Sequence, residues 1–167
     1  MDKDLKDLKD RALQPLRKAA REIYAELGPG LEKGRYLDAL AEKLAAGRYH
    51  FERGAALPVL FPTGPGKGEP KVAMVPDFTF KRRKVLVRVI VTPWNITDAA
   101  GRQLWSRIRA VGFPLGIILN FGLDTPEYRH VVHQGNLERW SRLRELTRPA
   151  REARLEAGAR KLSPAVP

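Results

Sequence analysis

The chain has 167 residues, 43% of them hydrophobic, which is enough for one core but leaves two independent cores marginal. Lys and Arg number 31 against 19 Asp and Glu, a net charge of +12 that attracts polyanions, nucleic acid first among them. The absence of cysteine excludes disulfides, thiolate nucleophiles and Cys-based zinc sites and fits a cytoplasmic chain. The start MDKDLKDLKDR is charged throughout with no apolar segment of a signal, and no apolar run approaches the roughly 20 residues that span a bilayer, so no membrane is expected.

In chain order, Leu5, Leu8, Ala12, Leu16, Ala19, Ala20, Ile23 and Leu27 recur at steps of three and four and predict a helix that Gly28-Pro29-Gly30 stops. A second helix is predicted over Glu32 to Ala46, closed by Gly47. Strand-like runs follow at Tyr49 to Arg53 and Ala56 to Phe61, then a loop-forming stretch, Pro62 to Pro70. Val72 to Phe80 and Val85 to Val91 read as a hairpin whose tip, Lys81-Arg82-Arg83-Lys84, is strongly basic. Thr97 to Val111 is helical with a Thr97-Asp98 cap, and Leu115 to Phe121 is a strand apolar enough to be buried on both faces. From Asn136 to Lys161 the pattern is again helical, basic and interrupted by Pro149. A strand, a crossing helix and another buried strand imply an α/β sandwich with a mixed sheet flanked by helices. The expected organisation is a domain over residues 1–135 and a basic helical C-terminal tail over 136–167.

Most routes to chemistry are closed. His130 and His133, at spacing i, i+3, would share a helix face suited to zinc, but no second half of such a site accompanies them or His50. Ser106, Ser141 and Ser163 lie in helical or tail contexts without a nucleophile elbow. The glycines from Gly64 to Gly68 lack the spacing and the Ser or Thr of a P-loop. Pro76-Asp77 followed by VLVRVI is more informative. An acid ending one strand, with acid-x-Lys on the next, places two carboxylates on one hard cation and a Lys by the water or phosphate. Here only the first carboxylate is present.

Four blocks carry a resemblance: Ile23-Tyr24-Ala25-Glu26-Leu27-Gly28-Pro29-Gly30-Leu31 with Tyr36 and Ala39-Leu40; Val75-Pro76-Asp77-Phe78; Gln103-Leu104 in its helix; and GIILNFG from Gly116 to Gly122. Across Leu13 to Val132 the chain resembles the GxxExxxY proteins of the PD-(D/E)xK nuclease superfamily. The resemblance implies a restriction-endonuclease-like fold and a site formed by a helical Glu, the Asp of PD, an acid-x-Lys and a Gln. Asp77 and Gln103 match it. The helical Glu falls at Lys33, with Glu32 one position and about 100° away around the helix. The strand acid falls at Arg88, its Lys at Ile90, and the family's His in the first helix at Tyr24.

Two cations in place of carboxylates would repel a divalent ion, and Ile90 removes the group that orients water. The expectation is therefore a catalytically inactive nuclease-like protein, with no metal site and no cofactor. It would bind nucleic acid or a nucleoprotein assembly through Lys81, Arg82, Arg83, Lys84 and Arg88. An active nuclease using Mg²⁺, with Glu32 and a displaced acid rearranged around Asp77, is the first alternative. A structural subunit with an acidic protein partner is the second. For Arg88 itself two roles are open: an ion pair to Asp77 across the hairpin, or a phosphate contact shared with Lys33. Trp94, Trp105 and Trp140 are candidate partner contacts, with Trp105 a candidate core residue and Trp140 a candidate anchor.

Overall fold

A computed structural model describes residues 2–59 and 72–162. The loop-forming stretch Pro62 to Pro70, the end of the Ala56 to Phe61 run and Ser163 lie outside the described residues.

The first apolar stripe makes helix α1 (Asp2–Leu27), which buries Leu8, Ala12, Leu16, Ala19, Ala20 and Ile23 on one face. Helix α2 (Lys33–Ala46) buries Tyr36, Leu40 and Leu44. Among the described residues seven strands follow: β1 (Glu52–Arg53), β2 (Leu57–Val59), β3 (Val72–Met74), β4 (Phe78–Phe80), β5 (Val85–Ile90), β6 (Leu115–Asn120) and β7 (Glu127–Val132), with α3 (Asp98–Val111) between β5 and β6 and α4 (Gln134–Leu162) last.

Five strands form one mixed sheet in the order β1-β4-β5-β6-β7. Only β5 and β6 are parallel, aligned from Val85↔Leu115 to Ile90↔Asn120, as their connection through α3 requires. Alternation along β5 divides its side chains between the two faces. Val85, Val87 and Val89 pack with Ile117 and Leu119 against α1 and α2. Leu86 packs with Ile118 against Leu104 and Ile108 of α3. Each such buried aliphatic side chain contributes about 1.5–3 kcal/mol. The result is an α/β sandwich of helices on both faces of a mixed sheet, consistent with a restriction-endonuclease-like fold.

Two local readings change. Val72 to Phe80 is not one strand: Val75-Pro76-Asp77 breaks it, because Pro76 has no N–H for a ladder. β3 pairs with β2 in a separate ribbon, and only β4 pairs with β5. His130 and His133 do not share a helix face. His130 is on β7, and His133 precedes α4, where its Nδ1 accepts from the Asn136 N–H at 3.1 Å. β7 itself is half-buried, so its residues EYRHVV carry no clean alternation.

The first turns of α4 enter the core through Leu137 and Trp140. Asn136 Nδ2 donates to the carbonyls of Ile108 and Phe113 at 3.1 and 3.0 Å, joining α4 to the end of α3.

Candidate site at the strand ends and the basic hairpin tip

The blocks singled out in the sequence meet where parallel β5 and β6 end, the edge at which open α/β sheets commonly place ligands. Phe121, just past β6, stacks on Tyr36 with ring centroids 4.5 Å apart. Its carbonyl accepts from the Gly30 N–H at 3.0 Å. The Tyr36 hydroxyl donates to the Gly28 carbonyl at 2.7 Å and accepts from the Leu31 N–H at 3.1 Å, which fixes the Gly-Pro-Gly turn entering α2.

Asn120 joins the strand exits. It is fully buried, and its Oδ1 accepts from the N–H groups of Thr92 and Gly122, both at 3.0 Å. Its Nδ2 donates to the Trp94 carbonyl at 3.0 Å and reaches Glu127 Oε2 at 3.5 Å. Gly122 is required here, since a Cβ would lie 2.1 Å from the Thr92 carbonyl oxygen. In the sequence this asparagine is one letter of the GIILNFG block; its role emerges only with the two strand ends side by side.

Asp77 lies beside this edge with both carboxylate oxygens engaged. Lys33 Nζ, at the first residue of α2, is 2.8 Å from Oδ1. The Val89 N–H donates to Oδ2 at 2.7 Å. The second bond follows from register. β4 runs out at Phe78, opposite Val87, so Val89 has no strand beside it on that side. An unpaired backbone N–H in this half-buried position is costly, and the Asp77 side chain takes the place of the missing ladder acceptor.

Arg88 points to the other face. It is only half-buried, and its Nη1 donates to Gln103 Oε1 on α3 at 3.1 Å. Its stem lies along the sheet while the guanidinium reaches outward, so the charge is not sealed in the core. Asp77 is thus paired with Lys33 rather than with Arg88, which corrects the cross-hairpin ion pair considered from the sequence. Gly30, Glu32, Lys33, Arg88 and Ile90 border one open groove. Asp77 and Gln103 are held by different partners, through Lys33 and Arg88 respectively.

The donor set does not fit a divalent metal. Mg²⁺ takes oxygen ligands in near-octahedral geometry. Asp77 has neither oxygen unengaged, and Lys33 and Arg88 stand where further carboxylates are expected. Among the described residues, no group of three His, Cys, Asp or Glu side chains is placed to hold a metal ion. Tyr24, where the resemblance expects a His, donates its hydroxyl to the Leu123 carbonyl at 2.7 Å. Burial first, then Tyr36, Tyr128 and Asp124, push its phenol up to about 12. It is a fixed donor, not a base at neutral pH.

A family model for the PD-(D/E)XK nuclease superfamily matches residues 10–131 of the 167. The chain belongs to the PD-(D/E)XK nuclease superfamily. No curated protein and no solved structure matches it. The superfamily match runs from within α1 through nearly all of β7, so the strand-end edge, Asp77, Arg88 and Gln103 all lie within it.

The hairpin tip is a second basic feature of this superfamily member, at the far end of β4 and β5. Lys84 adopts a left-handed conformation, φ 53°, to close the turn. Lys81 Nζ is 3.2 Å from Glu52 Oε1, and Arg83 donates to the Arg11 carbonyl. Arg82 and Lys84 are exposed. Of the tryptophans, Trp94 is exposed, Trp105 meets His133 in a tilted contact with centroids 5.0 Å apart, and Trp140 is a core residue capped by Arg144. No described helix is long and apolar enough to cross a membrane.

Proposed function

We propose that this chain is a catalytically inactive PD-(D/E)XK nuclease-like protein that binds nucleic acid, or a nucleoprotein assembly, through its basic surface. The observation that supports the reading is the Lys33–Asp77 ion pair: a cation from α2 occupies the carboxylate that a nuclease would offer to metal. Arg88, held by Gln103, places a second positive charge at the same groove. Electrostatics favour the hairpin tip as the larger contributor to binding. Lys33 is already neutralised by Asp77 and Glu32 borders the groove, whereas Arg82 and Lys84 face solvent. Contacts of this kind go to phosphates, so binding is sequence-independent and weakens steeply with salt.

The discriminating experiment incubates plasmid DNA with the protein and Mg²⁺ or Mn²⁺, beside an Asp77→Ala control, and measures retention on DNA at about 150 mM salt. Retention without cleavage is expected. Cleavage that disappears in the control would overturn inactivity and favour a Mg²⁺-dependent nuclease using Glu32, which borders the groove. A third reading, a subunit of a protein complex, draws support from Leu146 and Leu155, large apolar side chains exposed along α4. Loss of DNA retention together with co-purification of an acidic partner protein would favour it.

A further inference from the structure

A richer cluster of positive charge lies away from the strand-end groove. A cavity of about 290 Å³ lies under the hairpin tip, where Arg11, Arg48, Arg82, Arg83 and Arg144 face a single lining carboxylate, Asp7. These arginines come from α1, the segment after α2, the β4–β5 turn and α4, so no local stretch of sequence announces them. Asp7 is committed twice, to Arg11 Nε at 2.6 Å and to Arg144 Nη1 at 3.4 Å, and Arg144 also meets Asp4 Oδ1 at 3.7 Å. Arg83 donates to the backbone carbonyl of Arg11. Arg48 and Arg82 have no ion-pair partner among the described residues.

The cavity is shaped as well as charged. Leu8, Phe80 and Trp140 close its floor. Tyr49 stands at its rim, 37% exposed, with its ring against Gly47, where a Cβ would meet it at 2.5 Å. Arg48, between them, takes a left-handed conformation at φ 56°. Guanidiniums converging from several directions suit the tetrahedral oxygens of a phosphate better than a flat surface does.

We infer that this cavity is a binding site for a phosphate monoester, the terminal phosphate of a nucleic-acid strand or of a mononucleotide. A volume at the lower end of the range for ligand pockets admits one phosphate with its sugar and excludes a duplex. A monoester carries nearly two charges against one for a backbone diester, so it gains more from a cluster this rich in guanidinium. Tyr49 at the rim offers a face on which an attached base stacks. The site is separate from the strand-end groove, with which it shares no lining residue, and draws on α1 and α4 instead. It rests on the nucleic-acid reading and adds to the backbone contacts of the exposed basic surface a feature found only at strand ends.

The test measures binding of full-length protein to a short single-stranded oligonucleotide with a 5′-phosphate, to the same oligonucleotide with a 5′-hydroxyl, to 5′-AMP and to adenosine. Arg48→Gln/Arg82→Gln is measured in parallel, its fold checked by thermal melting. Preference for the phosphorylated strand, AMP binding without adenosine binding, and a loss of about tenfold or more in the variant are expected. AMP binding that the variant loses, with neither oligonucleotide bound, supports the cavity and overturns the nucleic-acid reading. Equal binding of the two oligonucleotides, without AMP binding, overturns the cavity and leaves nucleic-acid binding standing. No binding of any phosphorylated probe overturns both.

Discussion

Lys33 Nζ sits 2.8 Å from Asp77 Oδ1, and the same carboxylate accepts the Val89 N–H through its other oxygen. The acid of the Pro-Asp motif is thereby part of the sheet. Its side chain continues a ladder that β4 leaves unfinished, and the lysine balances its charge at a place where the carboxylate is only 17% exposed. These two contacts give the aspartate a structural role in the sheet.

Asp77→Ala is therefore expected to destabilise the fold by about 2 kcal/mol, since it removes a charge-assisted bond and orphans a backbone donor. Asp77→Asn retains an acceptor for Val89 and is expected to cost about half as much. Urea unfolding of both variants checks the ranking; equal stability of all three proteins would show that the Val89 bond contributes nothing.

Arg88→Met is expected to leave stability within about 1 kcal/mol of wild type, because only one bond to an exposed glutamine is lost. Its effect is expected in nucleic-acid binding, where the loss of one phosphate contact lowers the slope of log affinity against log salt by about 0.9 for a duplex. Filter binding over a salt series measures this. An unchanged slope would assign Arg88 to the fold alone.

The combination Lys33→Glu, Arg88→Glu and Ile90→Lys would release Asp77 and surround it with oxygen donors. A metal-dependent rise in melting temperature is expected in that variant and not in wild type. With free Mn²⁺ at a hundred times its dissociation constant, the gain is about 2.7 kcal/mol. A variant that folds but gains nothing from Mn²⁺ would show that more than three side chains separate this site from a metal centre.

Tyr24 supplies a pH prediction. Burial raises its phenol from 10.0 to about 12 in the folded chain. A group with a raised folded pKa stabilises fully below its unfolded value, and that contribution is lost as pH climbs through the folded value. Stability should thus fall between about pH 10 and 12 more steeply in wild type than in Tyr24→Phe. At neutral pH the variant is expected to be about 1 kcal/mol weaker for want of its bond to Leu123. Parallel slopes in thermal melts across the alkaline range would remove Tyr24 from this role.

Much of the architecture was legible because burial writes a period into sequence. The α1 stripe, the Tyr36, Leu40 and Leu44 face and the wholly apolar β6 were each visible in one dimension. β7 was not, since half-burial of Glu127 to Val132 leaves no strict alternation to read. The break at Pro76 is masked in one dimension by the β-rich residues on either side. At the candidate site, the identities Lys33, Asp77, Arg88 and Gln103 were legible, but their pairing was not. Which cation meets Asp77 depends on the face that β5 turns to α3, and Lys33 reaches it from another helix. The arginine cavity was less legible still: Lys81 to Lys84 marked its lip, while Arg11, Arg48 and Arg144 join only through tertiary packing.

Asn120 gives the strand ends a stability of their own. Its amide fastens the exits of both parallel strands from within, using backbone groups of Thr92, Trp94 and Gly122 and no side chain that borders the groove. Scaffold and chemistry are thus decoupled at this edge. A substitution at residue 33, 88 or 90 is therefore expected to alter the charge of the groove while the frame around it keeps its shape.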